Sequence, residues 1–285
     1  MEPVDLIKGS VKLATLPEVF IKVNEMVDDP SSSASDIGKF ISYDPALTAR
    51  LLKIANSPLY GFPSRIDTVS RAITIIGTRG LRDLILATSV ISNFTRLPSE
   101  HIEINAFWRH SLYCGVLARL IAVKCNALHT EPFFVSGLLH DIGQLIILNK
   151  LPEMSRETQM RANDGIMPLH QVEQEVIGFD HAKVGCELLR SWGLPETIID
   201  ATEFHHEPNR AQLSPLGASI VHIADVIAEN NEVSPDNDEE ISSTANVDPV
   251  AMAITRLEES AIEQIKEEAS LQYNAAVELF LPQAV

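Results

Sequence analysis

The sequence contains nine histidines, and several of them lie beside other residue types that bind metal ions. His140 and Asp141 are adjacent, after a run of apolar residues, and Gly143 follows two positions later. Adjacent helical side chains point about 100° apart, so this imidazole and carboxylate can share an ion only near a helix end. Gly143 supplies such an end, and we therefore interpret the pair as part of a metal site.

Other histidines and one aspartate have contexts that fit further ligands. The candidates are four residues for one ion and three histidines for a second: His110, His140, Asp141 and Asp225, then His181, His205 and His206. Imidazole nitrogen mixed with carboxylate oxygen suits iron, manganese or zinc, and suits calcium or magnesium poorly. We expect one or two such divalent ions, with iron favoured, and with Asp141 as the bridging carboxylate if two are bound.

Most candidates also have an ordinary explanation when each is taken alone. His110 fits the face of a core helix, and His181 follows Asp180, a residue type that caps helices. The pair His205-His206 fits an exposed helix end, where histidine interacts favourably with the helix dipole. Asp225 is harder to explain in this way, because an unpaired carboxylate within an apolar helix is costly to bury.

Amphipathic helices are predicted along most of the chain and would position these residues. Asp44 and Pro45 mark one helix start, as an N-cap carboxylate and a proline at the first helical position. No segment shows the alternation typical of a β-strand, so the predicted fold class is all-α. The helices expected around the candidate ligands span 105–124, 132–139, 169–177, 182–192, 195–204 and 215–228.

Length and composition limit the class of protein. The 285 residues, 45% of them apolar, suffice for two packed units. No run of about 18 apolar residues occurs and no secretion signal opens the chain, so we expect a cytoplasmic protein without a membrane contact. The three cysteines form no CxxC pair, which favours buried free thiols over disulfides.

The net charge of −17 is concentrated near the C-terminus. Residues 226–285 contain thirteen acidic and two basic residues, a balance of −11, which leaves −6 for the rest. No basic stripe offsets this charge, so we do not expect direct binding to nucleic acid. Residues 229–246 are acidic, polar and punctuated by proline, and they are the best linker candidate before two predicted C-terminal helices over 249–268 and 269–280.

Several stretches in the first hundred residues resemble the N-terminal signature of HDOD domains, which are output domains of bacterial signalling proteins. The resemblance covers about residues 10–230 and rests on these stretches: Leu16-Pro17, Asp28 to Pro30, Asp44 to Ser57, Tyr60-Gly61 and Ala72 to Gly77. It implies an N-terminal helical bundle over 1–100, packed on an HD-type helical domain over 101–230. An acidic linker and C-terminal helices would occupy 231–285.

The second half resembles the HD superfamily of metal-dependent phosphohydrolases, and especially the HD-GYP branch that cleaves cyclic dinucleotides. In that branch the metal ligands are a first His, a His-Asp pair, a His that opens the next helix, a His-His pair and a final Asp. All seven candidates match this pattern. HDOD domains have commonly lost these residues, so the complete set here implies that metal binding is retained.

Three departures from the HD-GYP pattern argue against hydrolysis of that kind. Gln144 replaces a lysine that would face the substrate phosphate, so it is at most a weak, neutral substrate-binding group. Ala106 replaces a carboxylate that would hold an additional ion. Residues 209–212 stand where the Gly-Tyr-Pro segment would be.

Three functional hypotheses follow from these residues. The favoured one is a signalling module that binds one or two metal ions and acts by binding signalling proteins in trans, or a nucleotide or other phosphorylated ligand. The alternative is an active metal-dependent phosphohydrolase acting on a nucleotide or phosphodiester, with Asp141 as the candidate catalytic residue. In the third, the site is a metal-free relic whose seven residues satisfy one another through hydrogen bonds.

Overall fold

The computed structural model describes residues 1–8, 15–95, 103–233 and 246–281. These residues form α-helices and one 3-10 helix, Pro208–Arg210, with no β-strand among them, so the all-α prediction is confirmed. The α-helices, numbered in chain order, are α1 (Pro3–Lys8), α2 (Glu18–Asp28), α3 (Ala34–Ser42), α4 (Pro45–Ala55), α5 (Val69–Phe94), α6 (Ile104–Lys124), α7 (Glu131–Leu139), α8 (Ile142–Lys150), α9 (Pro152–Asn163), α10 (Leu169–Val176), α11 (His181–Ser191), α12 (Glu196–Glu203), α13 (Pro215–Val233), α14 (Pro249–Thr255) and α15 (Glu259–Phe280).

The chain divides into two compact units. The first unit consists of Met1–Thr15 and Leu97–Ile265, and the second of Leu16–Arg96 and Lys266–Val285. All seven candidate ligands lie in the first unit. The three-part domain division expected from the sequence stays a prediction, because these units are defined by packing alone.

Two sequence signals in the second unit set the ends of its helices. Asp44 Oδ1 accepts hydrogen bonds from the backbone N–H groups of Ala46 and Leu47, both at 3.0 Å, and so caps α4. Gly77 has a φ of 87°, a left-handed conformation that glycine adopts readily, and it divides α5 into two helical segments. The predicted helix start at Asp44 is observed.

The helices that carry the candidate ligands are packed into the core of the first unit. α6 packs against α7 and α13, and α8 packs against α11. The segment Glu131–Lys150 has a mean hydropathy of 1.2 and is long enough to cross a membrane, but 72% of that stretch is buried within the protein. Those are the properties of a core helix, and here the apolar run is interrupted between α7 and α8 by His140 and Asp141.

Several helices differ from those predicted. α1, α8 and α9 were not predicted; α8 is buried nearly all round, so it has no amphipathic period to detect. The predicted helices over 249–268 and 269–280 are divided at a different place: Arg256 ends α14 with a left-handed φ of 54°, and α15 then runs without a break from Glu259 to Phe280. In the proposed linker over 229–246, α13 continues to Val233, and residues 234–245 lie outside the described residues.

Candidate metal centre

Five segments of the first unit bring the seven predicted ligands together. His110 lies on α6, and the pair His140-Asp141 joins α7 to α8. His181 opens α11, the pair His205-His206 follows α12, and Asp225 lies on α13. Their donor atoms form two groups, each with all its members within 4.8 Å of one another: a first donor set of His110, His140 and Asp225, and a second donor set of Asp141, His181, His205 and His206.

Distances between donor atoms within each set fit shared ions. In the first donor set, Asp225 Oδ1 lies 3.1 Å from His110 Nε2 and 3.2 Å from His140 Nε2. In the second donor set, the Nε2 atoms of His181 and His206 are 2.9 Å apart. Two ligand atoms that bind one ion at about 2.1 Å and at right angles are about 3 Å apart. The observed spacing fits neighbouring ligands on one ion, and it equally fits hydrogen bonds between the same atoms.

Asp141 lies between the two donor sets. Its Oδ1 is 3.0 Å from His181 Nε2 and 3.7 Å from His205 Nε2, whereas its Oδ2 is 3.5 Å from His140 Nε2. The two carboxylate oxygens thus face different sets, as a bridging ligand requires. Gln144, the weak candidate for substrate binding, donates a hydrogen bond from Nε2 to Asp141 Oδ2 at 2.7 Å, so its amide is bound to this carboxylate.

Hydrogen bonds at Nδ1 fix how two buried imidazoles present their other nitrogen. His140 Nδ1 donates to the Gly137 carbonyl, and His205 Nδ1 donates to the Thr202 carbonyl, both at 2.7 Å. A carbonyl oxygen only accepts, so each neutral ring carries its proton on Nδ1 and a lone pair on Nε2. His205 Nε2 is buried without a hydrogen-bond partner in the described part of the chain. Hydrogen bonding among the seven residues leaves this atom unsatisfied, whereas a bound cation would satisfy it.

Glu173, on α10, is a functional residue that sequence reasoning missed. Its Oε2 accepts hydrogen bonds from His181 Nδ1 at 2.6 Å and from the His181 backbone N–H at 2.8 Å, and both side chains are buried. This contact holds Nε2 of His181 toward the second donor set. One turn earlier on α10, the ring of His170 stacks on that of His206 with centroids 4.0 Å apart. Nothing in the local sequence of α10 signals these contacts, which depend on helix packing.

His222 is a second supporting residue. Its Nδ1 donates to the His205 backbone carbonyl at 2.8 Å, and its Nε2 accepts from the Asp248 backbone N–H at 2.9 Å. Both nitrogens of His222 are therefore engaged by the backbone, and the residue is not free to bind an ion. Its position three residues before Asp225, on the same helix, is the sequence signal that places it near the centre.

We predict that Glu173→Gln weakens metal binding at the second donor set by roughly tenfold or more, because the carboxylate that orients His181 is lost. Competitive titration with a metal-binding dye measures this affinity. Glu175→Gln is the matched control: Glu175 lies on the same helix, is exposed, and pairs with Arg161. Equal affinities in the two variants would contradict the positioning role.

Burial and charge act in opposite directions on the pKa of Asp141, Asp225 and His181, and in the same direction on the pKa of His205. Burial alone would raise the pKa of both buried aspartates, but the neighbouring histidines hold the pKa of Asp141 and Asp225 well below the ordinary value. Burial likewise opposes the charged form of His181, but Glu173 and Asp141 hold its pKa well above the ordinary value. Burial, together with nearby His140, lowers the pKa of His205 to about 3.

The low pKa of His205 predicts that the chelated protein loses stability in acid. Between pH 6.5 and about 3 the unfolded chain binds a proton at His205 that the folded chain does not, so stability falls as pH falls through this window. The expected slope is up to about 1.4 kcal/mol per pH unit from this group. Urea unfolding at pH 6.5 and 4.5 measures the loss, which should be smaller in His205→Gln. An unchanged slope in that variant would contradict the prediction.

Comparison with known proteins identifies the fold. A profile of the HDOD domain matches residues 13–208 of this chain. An HDOD domain protein with unknown function from Geobacter sulfurreducens is 22% identical, with a TM-score of 0.78 over 98% of both chains. A candidate phosphohydrolase from Shewanella amazonensis is 23% identical, with a TM-score of 0.73 over 95% of this chain and 97% of the other. These two likenesses show a shared fold.

Sequence comparison finds a relative, and the HDOD match can be stated as a share of this chain. An uncharacterized protein from Treponema pallidum is 30% identical over 194 residues, which are 67% of this chain and 37% of that protein. This chain thus spans little more than a third of that relative. The HDOD match covers more than half of this chain and includes every predicted ligand except Asp225. The chain therefore belongs to the HDOD domain family.

Proposed function

We propose that this chain is a regulatory HDOD module that binds two divalent transition-metal ions in an HD-type centre and acts through a partner or ligand. The buried Nε2 of His205, which has no hydrogen-bond partner in the described part of the chain, is the observation that carries the metal assignment. It lies with Asp141, His181 and His206 in the second donor set. Of iron, manganese and zinc, which this mixture of ligands suits, iron is our first choice.

The surroundings of the centre favour regulation over catalysis. The side chains of His110 and Asp141 are 13% and 12% exposed, and those of His140 and His205 are fully buried. A phosphoryl substrate needs both access and a positive group to face its charge. No lysine or arginine in the described part of the chain forms an ion pair with Asp141 or Asp225, and Gln144 contributes only a neutral amide there.

The partner in this proposal is a signalling protein in trans, or a nucleotide or other phosphorylated ligand. The module would act in the cytoplasm, where the three free cysteines are stable as thiols. The metal centre would then serve to hold α6, α7, α11, α12 and α13 in one arrangement, because each of these helices carries or adjoins a ligand.

Hydrolysis of a phosphodiester or nucleotide is the second candidate, and the position of Asp141 between the two donor sets favours it. Paired ions, when bound, lower the pKa of water and neutralise phosphoryl charge. Two residues of this chain would position the ions. Asp141 would be a ligand of both, and Gln144 would restrain the Asp141 carboxylate through its 2.7 Å hydrogen bond.

Turnover assays distinguish the two candidates. We predict that metal-loaded protein shows no metal-dependent rate above background on a panel of phosphodiesters and nucleotides. A rate well above background that disappears in Asp141→Ala would contradict the regulatory proposal and support hydrolysis. Asp141→Ala protein purified in the same way controls for contaminating enzymes, because their activity does not depend on this substitution.

A further inference from the structure

A small cavity in the second unit is lined by residues that carry the HDOD resemblance. It has a volume of about 210 Å³ and lies between the start of α2, the start of α4 and the last turns of α5. From the sequence signature come Pro17, Asp44 and Arg50, together with residues 46 and 47. These residues contribute nothing to the metal centre, so their shared position calls for a different explanation.

Arg50 brings a positive charge to this cavity. Its side chain is exposed, and it forms no ion pair or side-chain hydrogen bond within the described ranges. Arg82 in the same unit is different, since its Nε and Nη2 donate to Asp83 at 2.9 and 2.8 Å. A guanidinium presents five N–H donors in a planar fork that matches carboxylate and phosphate groups. Arg50 therefore has its full donor capacity available at the cavity.

The opposite wall, on α5, presents further donors. Ser89 is 9% exposed, and its hydroxyl is not among the buried side-chain atoms left without a hydrogen-bond partner, so it keeps contact with the solvent that fills the cavity. Thr88 beside it is satisfied differently, because its Oγ1 donates to the Ile85 carbonyl at 3.0 Å. One turn further along α5, Ser92 and Asn93 also line the cavity. The Ser89 hydroxyl is therefore a donor or acceptor that a polar occupant of the cavity could reach.

Asp44 also lines the cavity, and its charge has to be weighed against an anionic occupant. Its Oδ1 accepts from the N–H groups of both Ala46 and Leu47, at the N-terminus of α4. The positive end of the helix dipole partly compensates this carboxylate. Arg50 lies about one and a half turns further along α4 and forms no ion pair with Asp44 within the described ranges. Its guanidinium is therefore available to an anionic ligand.

We propose that this cavity binds the anionic group of a small ligand, a carboxylate or a phosphate, held by Arg50 and by the hydroxyl of Ser89. The volume is below the roughly 300 Å³ at which ligand pockets usually begin, so the cavity has room for one anionic group and not for a whole nucleotide. The site is separate from the metal centre and does not depend on the function proposed for it.

The test uses the full chain after chelation of metal ions, so that no anion can bind to a metal. Inorganic phosphate and acetate are titrated separately while backbone amide shifts are recorded by NMR. We expect saturable shifts at the residues lining the cavity with at least one of the two anions, and the arm that saturates identifies the anionic group. Arg50→Gln should weaken binding by roughly tenfold or more, and Ser89→Ala by roughly threefold to tenfold.

Arg71→Gln is the matched control, because Arg71 is an exposed arginine of the same unit that does not line the cavity. It should leave the affinity unchanged. Arg50 is exposed, so its replacement should leave the fold intact, and far-ultraviolet circular dichroism checks this. The proposal is overturned if neither anion gives saturable shifts, if Arg50→Gln binds as tightly as the unaltered protein, or if Arg71→Gln weakens binding equally.

Discussion

Asp141→Ala is expected to remove both metal ions from the protein, whereas His110→Ala should remove only one. The reason is the position of the Asp141 carboxylate, whose Oδ1 faces His181 and whose Oδ2 faces His140. His110 contributes to the first donor set alone. We expect the loss of Asp141 to lower the affinity of both positions by more than roughly a hundredfold, since even supporting residues contribute ten- to a hundredfold.

Metal content per chain, measured by mass spectrometry of the purified variants, tests this difference. Asp164→Ala is the control, because Asp164 is an exposed aspartate of the same unit that belongs to neither donor set. It should keep the full metal content. If Asp141→Ala lost one ion and kept the other, Asp141 would belong to one set and would not be a bridge.

Gly143→Ala is expected to destabilise the protein by about 3 kcal/mol or more and to abolish metal binding at the second donor set. A Cβ at position 143 would lie 2.0 Å from the His181 carbonyl oxygen and 2.7 Å from the Gly185 backbone nitrogen. Both atoms belong to the backbone of α11, so the contact can be relieved only by moving that helix. His181 would move with it, away from Asp141.

Gly185→Ala provides the matched control at the same helix contact. A Cβ at position 185 would find its nearest neighbours at 3.5 Å, which is ordinary van der Waals contact. Alanine is also favoured over glycine within a helix by about 1 kcal/mol, so this variant should be as stable as the original or slightly more stable. Urea unfolding compares the two variants. Equal stabilities would contradict the close approach of α8 and α11.

Much of the fold could be predicted from the sequence, because local signals mark many helix ends. Asp44 caps α4, and Gly77 interrupts α5, through interactions between residues that are close in the chain. The residues of the candidate centre could also be singled out, since the pair His140-Asp141 and the pair His205-His206 are unusual contexts for histidine. The structure brings all seven predicted ligands together, from segments more than a hundred residues apart.

The remainder depends on packing between distant segments, which residue patterns do not report. Glu173 contacts His181 because α10 folds back beside the start of α11, and the local sequence of α10 is that of an ordinary amphipathic helix with several polar residues. α8 escaped detection since it is buried on nearly all sides. The assignment of Asp141 to the second donor set likewise follows from three-dimensional distances. The sequence pattern instead groups Asp141 with His110, His140 and Asp225, and makes it a bridge only if two ions are bound.

Elemental analysis of the protein, purified without a chelating resin, is the most direct test of the metal centre. We expect close to two equivalents of iron, manganese or zinc per chain, and loss of the metal of the first donor set in His140→Ala. Folded protein that contains no stoichiometric transition metal, even after expression in metal-supplemented medium, would contradict the account. Full retention of both equivalents in His140→Ala would contradict it as well.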